Sequence, residues 1–141
     1  MLTWIAFDAD DTLWEKERYY QRAQDKFKQI LSAYHKPDLI DRVLLETETR
    51  NIPVYGYGIK SFGLSMIETA INLSDGKIQG SEIQKILETI REMVNVRVEV
   101  LPGVQGTLQK LAGKFKLMMI TKGDLLDQER KLEQSGLRAF F

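Results

Sequence analysis

The stretch that decides the fold is Trp4-Ile5-Ala6-Phe7-Asp8-Ala9-Asp10-Asp11-Thr12-Leu13-Trp14. Its first four residues are apolar, and three of them are β-branched or aromatic, which favours a short buried strand over a helix. Three carboxylates and a threonine follow within the next five positions. Ligands of open α/β sheets lie just beyond the carboxyl ends of the strands, so the sequence predicts a functional site directly after residue 7.

Two of these carboxylates, Asp8 and Asp10, are separated by a single residue. Side chains alternate along an extended chain, so both can face one pocket, where one serves as a nucleophile and the other carries a proton. Neighbouring carboxylates repel each other, and a divalent metal ion would relieve that repulsion. The alternative is an acidic turn, or acidic residues gathered at the amino terminus of a helix.

The composition excludes several classes of function. The 141 residues include 20 basic and 20 acidic side chains, so the net charge gives no reason to expect nucleic acid or a membrane surface as a partner. Without cysteine, the chain has no disulfide, thiolate nucleophile or cysteine-bound metal. No apolar run approaches the roughly 20 residues that cross a bilayer, and the first residues do not resemble a secretion signal, so we expect a cytoplasmic protein.

The middle of the chain is predicted to be helical. Between residues 15 and 96, apolar residues recur at the helical period in four segments. The second helix is expected to end at Asn51-Ile52-Pro53, before a glycine-rich turn over residues 54–58. The fourth is expected to begin at Ser81, with Gln84 completing a capping box.

Strand-like segments return after residue 96. Residues 96–100 alternate between apolar and charged side chains, as in a strand or an extended crossing segment. Residues 115–121 form a second candidate for a buried strand, which ends on the hydroxyl of Thr121. The last helix is predicted to begin at Asp124 and to end at Gly136. The order of elements is therefore strand, four helices, return segment, helix, strand and helix.

The motif at residues 7–13, Phe-Asp-x-Asp-x-Thr-Leu, resembles the first motif of the haloacid dehalogenase (HAD) superfamily of phosphohydrolases. The resemblance implies an α/β fold whose partial Rossmannoid core of parallel strands is formed by residues 1–14 and 97–141, with an all-helical cap inserted over residues 15–96. The segment Leu101-Pro102-Gly103-Val104 is similar to the family's re-entry into the core. Thr121 matches the second motif, whose hydroxyl hydrogen-bonds the transferring phosphoryl group.

The resemblance also implies roles for individual residues. Asp8 would attack phosphorus and form an aspartyl-phosphate, while Asp10 would protonate the leaving oxygen and then deprotonate water. Magnesium would bind through the Asp8 carboxylate and the Asp10 main-chain carbonyl. Thr121 and Lys122 would contact the substrate phosphate. An aspartate at position 10 is, within the family, a feature of phosphatases and phosphotransferases rather than of dehalogenases.

The family's third motif, a lysine, and its fourth, one or more acids that complete the metal shell, are expected beyond Gly136, and the sequence ends at Phe141. Lys122 stands where many family phosphatases carry asparagine. We therefore expect part of a magnesium-dependent phosphomonoester hydrolase that acts on a small phosphorylated metabolite. We also expect weak magnesium binding and self-association through exposed sheet edges. The alternatives are a phosphotransferase or phosphomutase that uses the same Asp8 intermediate, and a catalytically inactive interaction module.

Overall fold

The computed structural model describes all residues from Met1 to Phe141. No helix in it is both long enough and apolar enough to cross a membrane. The elements are, in chain order, β1 (Trp4–Phe7), α1 (Glu17–Ile30), α2 (Pro37–Tyr55), α3 (Ile59–Leu73), α4 (Gly80–Asn95), α5 (Val104–Ala112), β2 (Lys116–Met119), α6 (Leu125–Ser135) and a final 3-10 helix (Arg138–Phe140).

The chain divides into two compact units. One consists of Met1–Arg18 together with Arg97–Phe141, and we call it the α/β unit. The other consists of Tyr19–Val96, and we call it the helical unit. Both strands lie in the α/β unit, whereas the helical unit contains α1 from Tyr19 onward together with α2, α3 and α4.

The sheet of the α/β unit consists of β1 and β2, which pair in parallel. Trp4 lies opposite Lys116, and Phe7 lies opposite Met119. The ladder continues past β2, because the Ile120 N–H donates to the Phe7 carbonyl oxygen at 2.9 Å. The predicted partial α/β core with parallel strands is confirmed, and the carboxyl ends of both strands lie at the same edge of the sheet.

One face of this sheet is covered and the other is open. Ile5, Phe7, Leu117 and Met119 pack on an apolar core whose fully or nearly fully buried members are Ala9, Leu13, Trp14, Leu108 and Leu137. The other face is exposed, and we call it the open sheet face; it consists of Trp4, Ala6, Lys116, Met118 and Ile120. The prediction of fully buried strands is wrong for this face, because burial on both faces requires helices on both sides of the sheet.

The helical unit has its own core. Its central helix, α3, contacts both α2 and α4. Gly63 of α3 lies so close to Ile90 of α4 that a Cβ atom there would clash with the isoleucine side chain. The core is formed by Ala23, Phe27, Leu31, Ile40, Leu44, Ile59, Phe62, Met66, Ala70, Ile86 and Met93.

Polar side chains fix how α2 and α3 align. The buried Asn51 amide donates to Ser65 Oγ at 3.1 Å and to Glu68 Oε2 at 2.9 Å. Hydrogen bonds also lower the pKa of Glu68 below its ordinary value, and the bond from Asn51 has a larger effect than the bond from Arg50. The two helices therefore have a preferred register in addition to an apolar contact.

Two predicted helix boundaries are wrong. Helix α2 continues through Pro53 to Tyr55, because a proline in the last turn removes one hydrogen bond near the helix end, and the Gly56 N–H still donates to the Ile52 carbonyl at 2.8 Å. Helix α4 begins at Gly80, and its capping box uses Glu82, whose carboxylate accepts the Gln79 N–H at 2.8 Å. A charged acceptor at the positive end of a helix binds more strongly than the neutral Gln84 amide.

We expect the chain to self-associate through the open sheet face, because that face carries exposed apolar side chains beside an unpaired strand edge. The change Ile120→Lys places a charge on the face and should shift the chain toward the monomer. Sedimentation velocity over a wide range of protein concentration measures this effect.

The matched control is Leu45→Lys in the helical unit, where the native side chain is 64% exposed, against 62% for Ile120. This change should leave the association unaltered. A wild-type chain that remains monomeric at every concentration would contradict the prediction.

Candidate active site

The loop after β1 carries the predicted catalytic carboxylates. It turns tightly, because the Ala9 carbonyl oxygen accepts the N–H groups of Leu13 at 2.7 Å and of Thr12 at 3.1 Å. Asp11 adopts a left-handed conformation with φ of 58°, which aspartate tolerates better than most residues. Its Oδ1 accepts the N–H groups of Lys16 and Glu17, so Asp11 caps the start of α1.

The far end of this loop is held by the return segment after residue 96. The Leu101 N–H donates to the Leu13 carbonyl at 2.9 Å, and the Glu15 N–H donates to the Glu99 carbonyl at the same distance. Arg18 forms an ion pair with the Glu99 carboxylate. The sequence predicted a strand or an extended segment here, and the structure shows an extended segment with one bridge, between Val100 and Trp14.

Asp8 is the first residue after β1, and it is exposed. Its Oδ2 lies 3.4 Å from Thr12 Oγ1, at the outer limit of a hydrogen bond. The carboxylate is therefore accessible to a ligand that approaches the carboxyl end of the sheet.

Asp10 occupies a different environment, since its side chain is only 19% exposed. Its Oδ1 accepts hydrogen bonds from Trp14 Nε1 at 2.9 Å and from Lys131 Nζ at 3.1 Å. Its Oδ2 accepts a hydrogen bond from Gln128 Nε2 at 3.0 Å. Burial raises the pKa of Asp10, but the Lys131 charge and the bonds from Trp14, Gln128 and Lys131 together outweigh it and lower the pKa below its ordinary value.

Thr121 and Lys122 follow the end of β2 at Met119. Thr121 Oγ1 and the Lys122 carbonyl oxygen each lie 2.9 Å from Gln128 Nε2, while Lys122 as a whole is exposed. Helix α6 starts three residues later, and the N–H groups of a first helical turn have no partner within the helix. A hydroxyl and such N–H groups together suit an anionic ligand.

Helix α6 contributes two further residues that sequence reasoning missed, Gln128 and Lys131. Lys131 pairs with Asp127 Oδ2 at 3.3 Å as well as with Asp10. The first turn of α6 is inverted with respect to polarity: Leu125 and Leu126 are 76% and 61% exposed, whereas Asp127 and Gln128 are buried. The sequence contains no signal for this inversion, because polar residues on a helix ordinarily face solvent.

The predicted magnesium site has two oxygen ligands in the chain, the Asp8 carboxylate and the Asp10 main-chain carbonyl. The Asp10 carboxylate itself is paired with Lys131. No group of three or more histidine, cysteine, aspartate or glutamate side chains forms a metal site. Magnesium in proteins is often bound by one or two carboxylates plus water and substrate phosphate, so these residues fit a weakly held ion.

Comparison with solved structures identifies relatives of this chain. A haloacid dehalogenase-like family hydrolase from Xanthomonas campestris is 44% identical to this chain and superposes with a TM-score of 0.92. The alignment covers 99% of this chain and 59% of that one, so this chain spans less than two thirds of the relative's length. No curated protein matches the sequence.

More distant structures share the fold alone. A 2-haloacid dehalogenase from Pseudomonas syringae is 23% identical, with a TM-score of 0.59, and the alignment covers 100% of this chain and 62% of that chain. A predicted phosphoglycolate phosphatase from Haemophilus somnus is 15% identical, with a TM-score of 0.55, and the alignment covers 99% of this chain and 60% of that chain. One relative is named a dehalogenase and the other a phosphatase, so the fold does not distinguish the two reactions.

A family model described as haloacid dehalogenase-like hydrolase matches residues 2–141, which is nearly the whole chain. The match includes both Asp8 and Asp10 after β1 and Thr121 after β2. The chain therefore belongs to the haloacid dehalogenase-like hydrolase family.

Proposed function

We propose that this chain carries the nucleophile and the acid/base of a magnesium-dependent phosphomonoester hydrolase that acts through an aspartyl-phosphate. One observation supports this most directly: the loops after the two parallel strands meet, since the same amide nitrogen of Gln128 lies 3.0 Å from Asp10 Oδ2 and 2.9 Å from Thr121 Oγ1. Asp10 and Thr121, to which we assign proton transfer and phosphate binding, therefore both lie at the carboxyl edge of the sheet, where α/β proteins bind ligands.

The exposed Asp8 is suited to the first step. One of its carboxylate oxygens attacks phosphorus, and the bond between phosphorus and the ester oxygen breaks. Asp10 must bind a proton before this step, against the contacts that lower its pKa, and it passes that proton to the leaving oxygen. The products of this step are the free alcohol and the aspartyl-phosphate at Asp8.

Asp10 acts again in the second step. Its carboxylate accepts a proton from water as the water oxygen attacks phosphorus, and the bond between phosphorus and Asp8 breaks. Phosphate leaves, Asp8 is regenerated as a carboxylate, and Asp10 again holds the proton it needs for the next turnover. The contacts to Trp14, Lys131 and Gln128 hold the Asp10 carboxylate in one place for both transfers.

The phosphoryl group would be bound by the Thr121 hydroxyl, by Lys122 and by the first-turn N–H groups of α6. Asp8 and the Asp10 main-chain carbonyl would hold magnesium, which when bound neutralises negative charge on the phosphoryl oxygens. A small phosphorylated metabolite is the substrate class that we propose, and the cytoplasm is the compartment.

Position 10 favours a phosphate ester over a haloacid as the substrate. A halide leaves without taking up a proton, so a dehalogenase needs no acid beside its nucleophile. An ester oxygen does need a proton, and Asp10 is held by three side chains two residues from Asp8. The presence of an ionisable carboxyl group at position 10 supports phosphatase chemistry within a family whose fold accommodates both reactions.

We expect the change Asp8→Asn to lower phosphate-ester hydrolysis by about 1,000-fold or more, because an amide cannot form the aspartyl-phosphate. The measurement is phosphate release from a panel of phosphomonoesters with magnesium, run in parallel with halide release from a 2-haloacid. Asp75→Asn is the matched control, since Asp75 is an exposed aspartate in a left-handed turn that asparagine also tolerates. Equal ester hydrolysis by wild type and Asp8→Asn, or halide release without ester hydrolysis, would refute the proposal.

We expect magnesium to bind this chain only weakly, because the chain supplies two oxygen ligands and an octahedral ion needs six. Isothermal titration calorimetry should give a dissociation constant well above the micromolar range, and Asp8→Asn should weaken binding further. A micromolar constant for the wild-type chain would show that other ligands complete the site.

The charge of Asp10 should make stability depend on pH. Its pKa is lower in the folded chain than its ordinary value, so its contacts stabilise the fold above that ordinary value and are lost as the pH falls through the lowered pKa. Asp10→Asn should therefore cost about 1–3 kcal/mol of unfolding free energy at neutral pH, and the difference from wild type should shrink on acidification.

Urea unfolding at neutral and at acidic pH measures this dependence. Asp8→Asn makes the same chemical change at an exposed carboxylate two residues away and should alter the unfolding free energy by less than about 0.5 kcal/mol. A constant difference between wild type and Asp10→Asn at all pH values would show that the ionised form of Asp10 contributes nothing to stability.

A further inference from the structure

We propose that Gln128 is a positioning residue, whose side-chain amide holds Asp10 and Thr121 in a fixed relation to each other. The inference rests on the proposed function, because it concerns how the acid/base is aligned with the phosphate-binding hydroxyl. Gln128 is 5% exposed, and its Nε2 lies within hydrogen-bonding distance of Asp10 Oδ2, Thr121 Oγ1 and the Lys122 carbonyl oxygen. Its side chain thus bonds to both loops at the carboxyl edge of the sheet.

The orientation of this amide follows from its neighbours. An ionised carboxylate and a main-chain carbonyl only accept hydrogen bonds, so the NH₂ group and not the oxygen of Gln128 must face Asp10 and Lys122. Thr121 lies at the same nitrogen, and its hydroxyl is also 3.3 Å from the Lys122 carbonyl oxygen, toward which it donates. The two N–H groups of one amide therefore connect three acceptors from two loops.

The loop after β2 is shaped to admit this side chain. Gly123 has φ of 128°, a conformation that side-chain-bearing residues rarely adopt. A Cβ atom at this position would lie 3.3 Å from Gln128 Nε2, which is tighter than most side-chain contacts, and 3.6 Å from its Cδ, which is an ordinary van der Waals distance. Glycine at position 123 leaves room for the Gln128 amide beside the loop that carries Thr121 and Lys122.

The amide oxygen of Gln128 indicates that stability alone does not explain why glutamine occupies this position. Gln128 Oε1 is buried and has no hydrogen-bond partner, which costs free energy that an apolar side chain of similar size would avoid. A glutamine retained for packing would be replaced by methionine without loss. The groups that glutamine adds are its two N–H donors, and both are directed to the site residues.

Replacing Gln128 should therefore affect turnover more than substrate binding. We expect Gln128→Met to lower kcat by about 10-fold to 100-fold with little change in KM, because misaligned proton transfer slows the chemical step. Its melting temperature should fall, because Asp10 and the Lys122 carbonyl each lose a hydrogen-bond donor, so both constants are measured at a temperature at which every variant is folded. The matched control is Gln134→Met, the same change at an exposed position of α6, which should alter neither constant.

A second variant disturbs the Gln128 amide through a change at Gly123 instead of at Gln128 itself. Gly123→Ala leaves Gln128 intact but places a methyl group against its amide, so it should also lower kcat. This variant keeps the kinetic test informative if Gln128→Met folds poorly.

A spectroscopic arm tests the connection independently of activity. In NMR spectra of the 141-residue chain, Asp10→Asn should shift the signals of the Thr121 side chain when Gln128 is present, because the amide transmits the change. In the Gln128→Met background the same Asp10 substitution should leave the Thr121 signals largely unmoved. In the Gln134→Met background the shift should be as large as in wild type.

The outcomes separate the two proposals. A wild-type chain that hydrolyses no phosphate ester refutes the proposed function, while the NMR comparison still decides whether Gln128 connects the loops. Equal Thr121 shifts with and without Gln128 overturn the positioning inference. The positioning inference is also overturned if the chain hydrolyses phosphate esters and Gln128→Met has the same kcat as Gln134→Met.

Discussion

The structure of the α/β unit depends on the pairing of one mostly buried charge. The Asp10 carboxylate accepts hydrogen bonds from Trp14, in its own loop, and from Gln128 and Lys131 of α6. A carboxylate removed from water is costly unless it is paired, and these three donors offset the cost only when the loop and the helix hold their relative positions. The requirement to satisfy Asp10 therefore fixes where α6 lies with respect to the end of β1.

The same requirement gives two neighbouring aspartates different properties. Asp8 is exposed and its carboxylate lies 3.4 Å from Thr12 Oγ1, whereas Asp10 is enclosed and donors from two elements hold it in its ionised form. Different surroundings give two identical side chains different properties, and the ionised form favoured at Asp10 is the one that accepts a proton from water in the second step of the proposed mechanism. The environment, rather than the residue type, supports the division of roles in the proposed mechanism.

The sheet is a minimal version of an α/β core. Its two parallel strands place their carboxyl ends side by side, which suffices to bring Asp10 and Thr121 to one amide, yet only one sheet face is covered by the core. The close relative from Xanthomonas campestris matches this chain over 59% of its own length.

The sequence alone determined the helices, the two parallel strands and the positions of Asp8, Asp10 and Thr121 after the strand ends, because apolar periodicity and turn residues are local signals. It did not determine the end of α2 beyond Pro53 or the roles of Gln128 and Lys131. A polar residue on an amphipathic helix has the same pattern whether it faces solvent or a buried carboxylate. Only the packing of α6 against the loop after β1 brings Gln128 and Lys131 to Asp10, and that contact joins residues far apart in the chain.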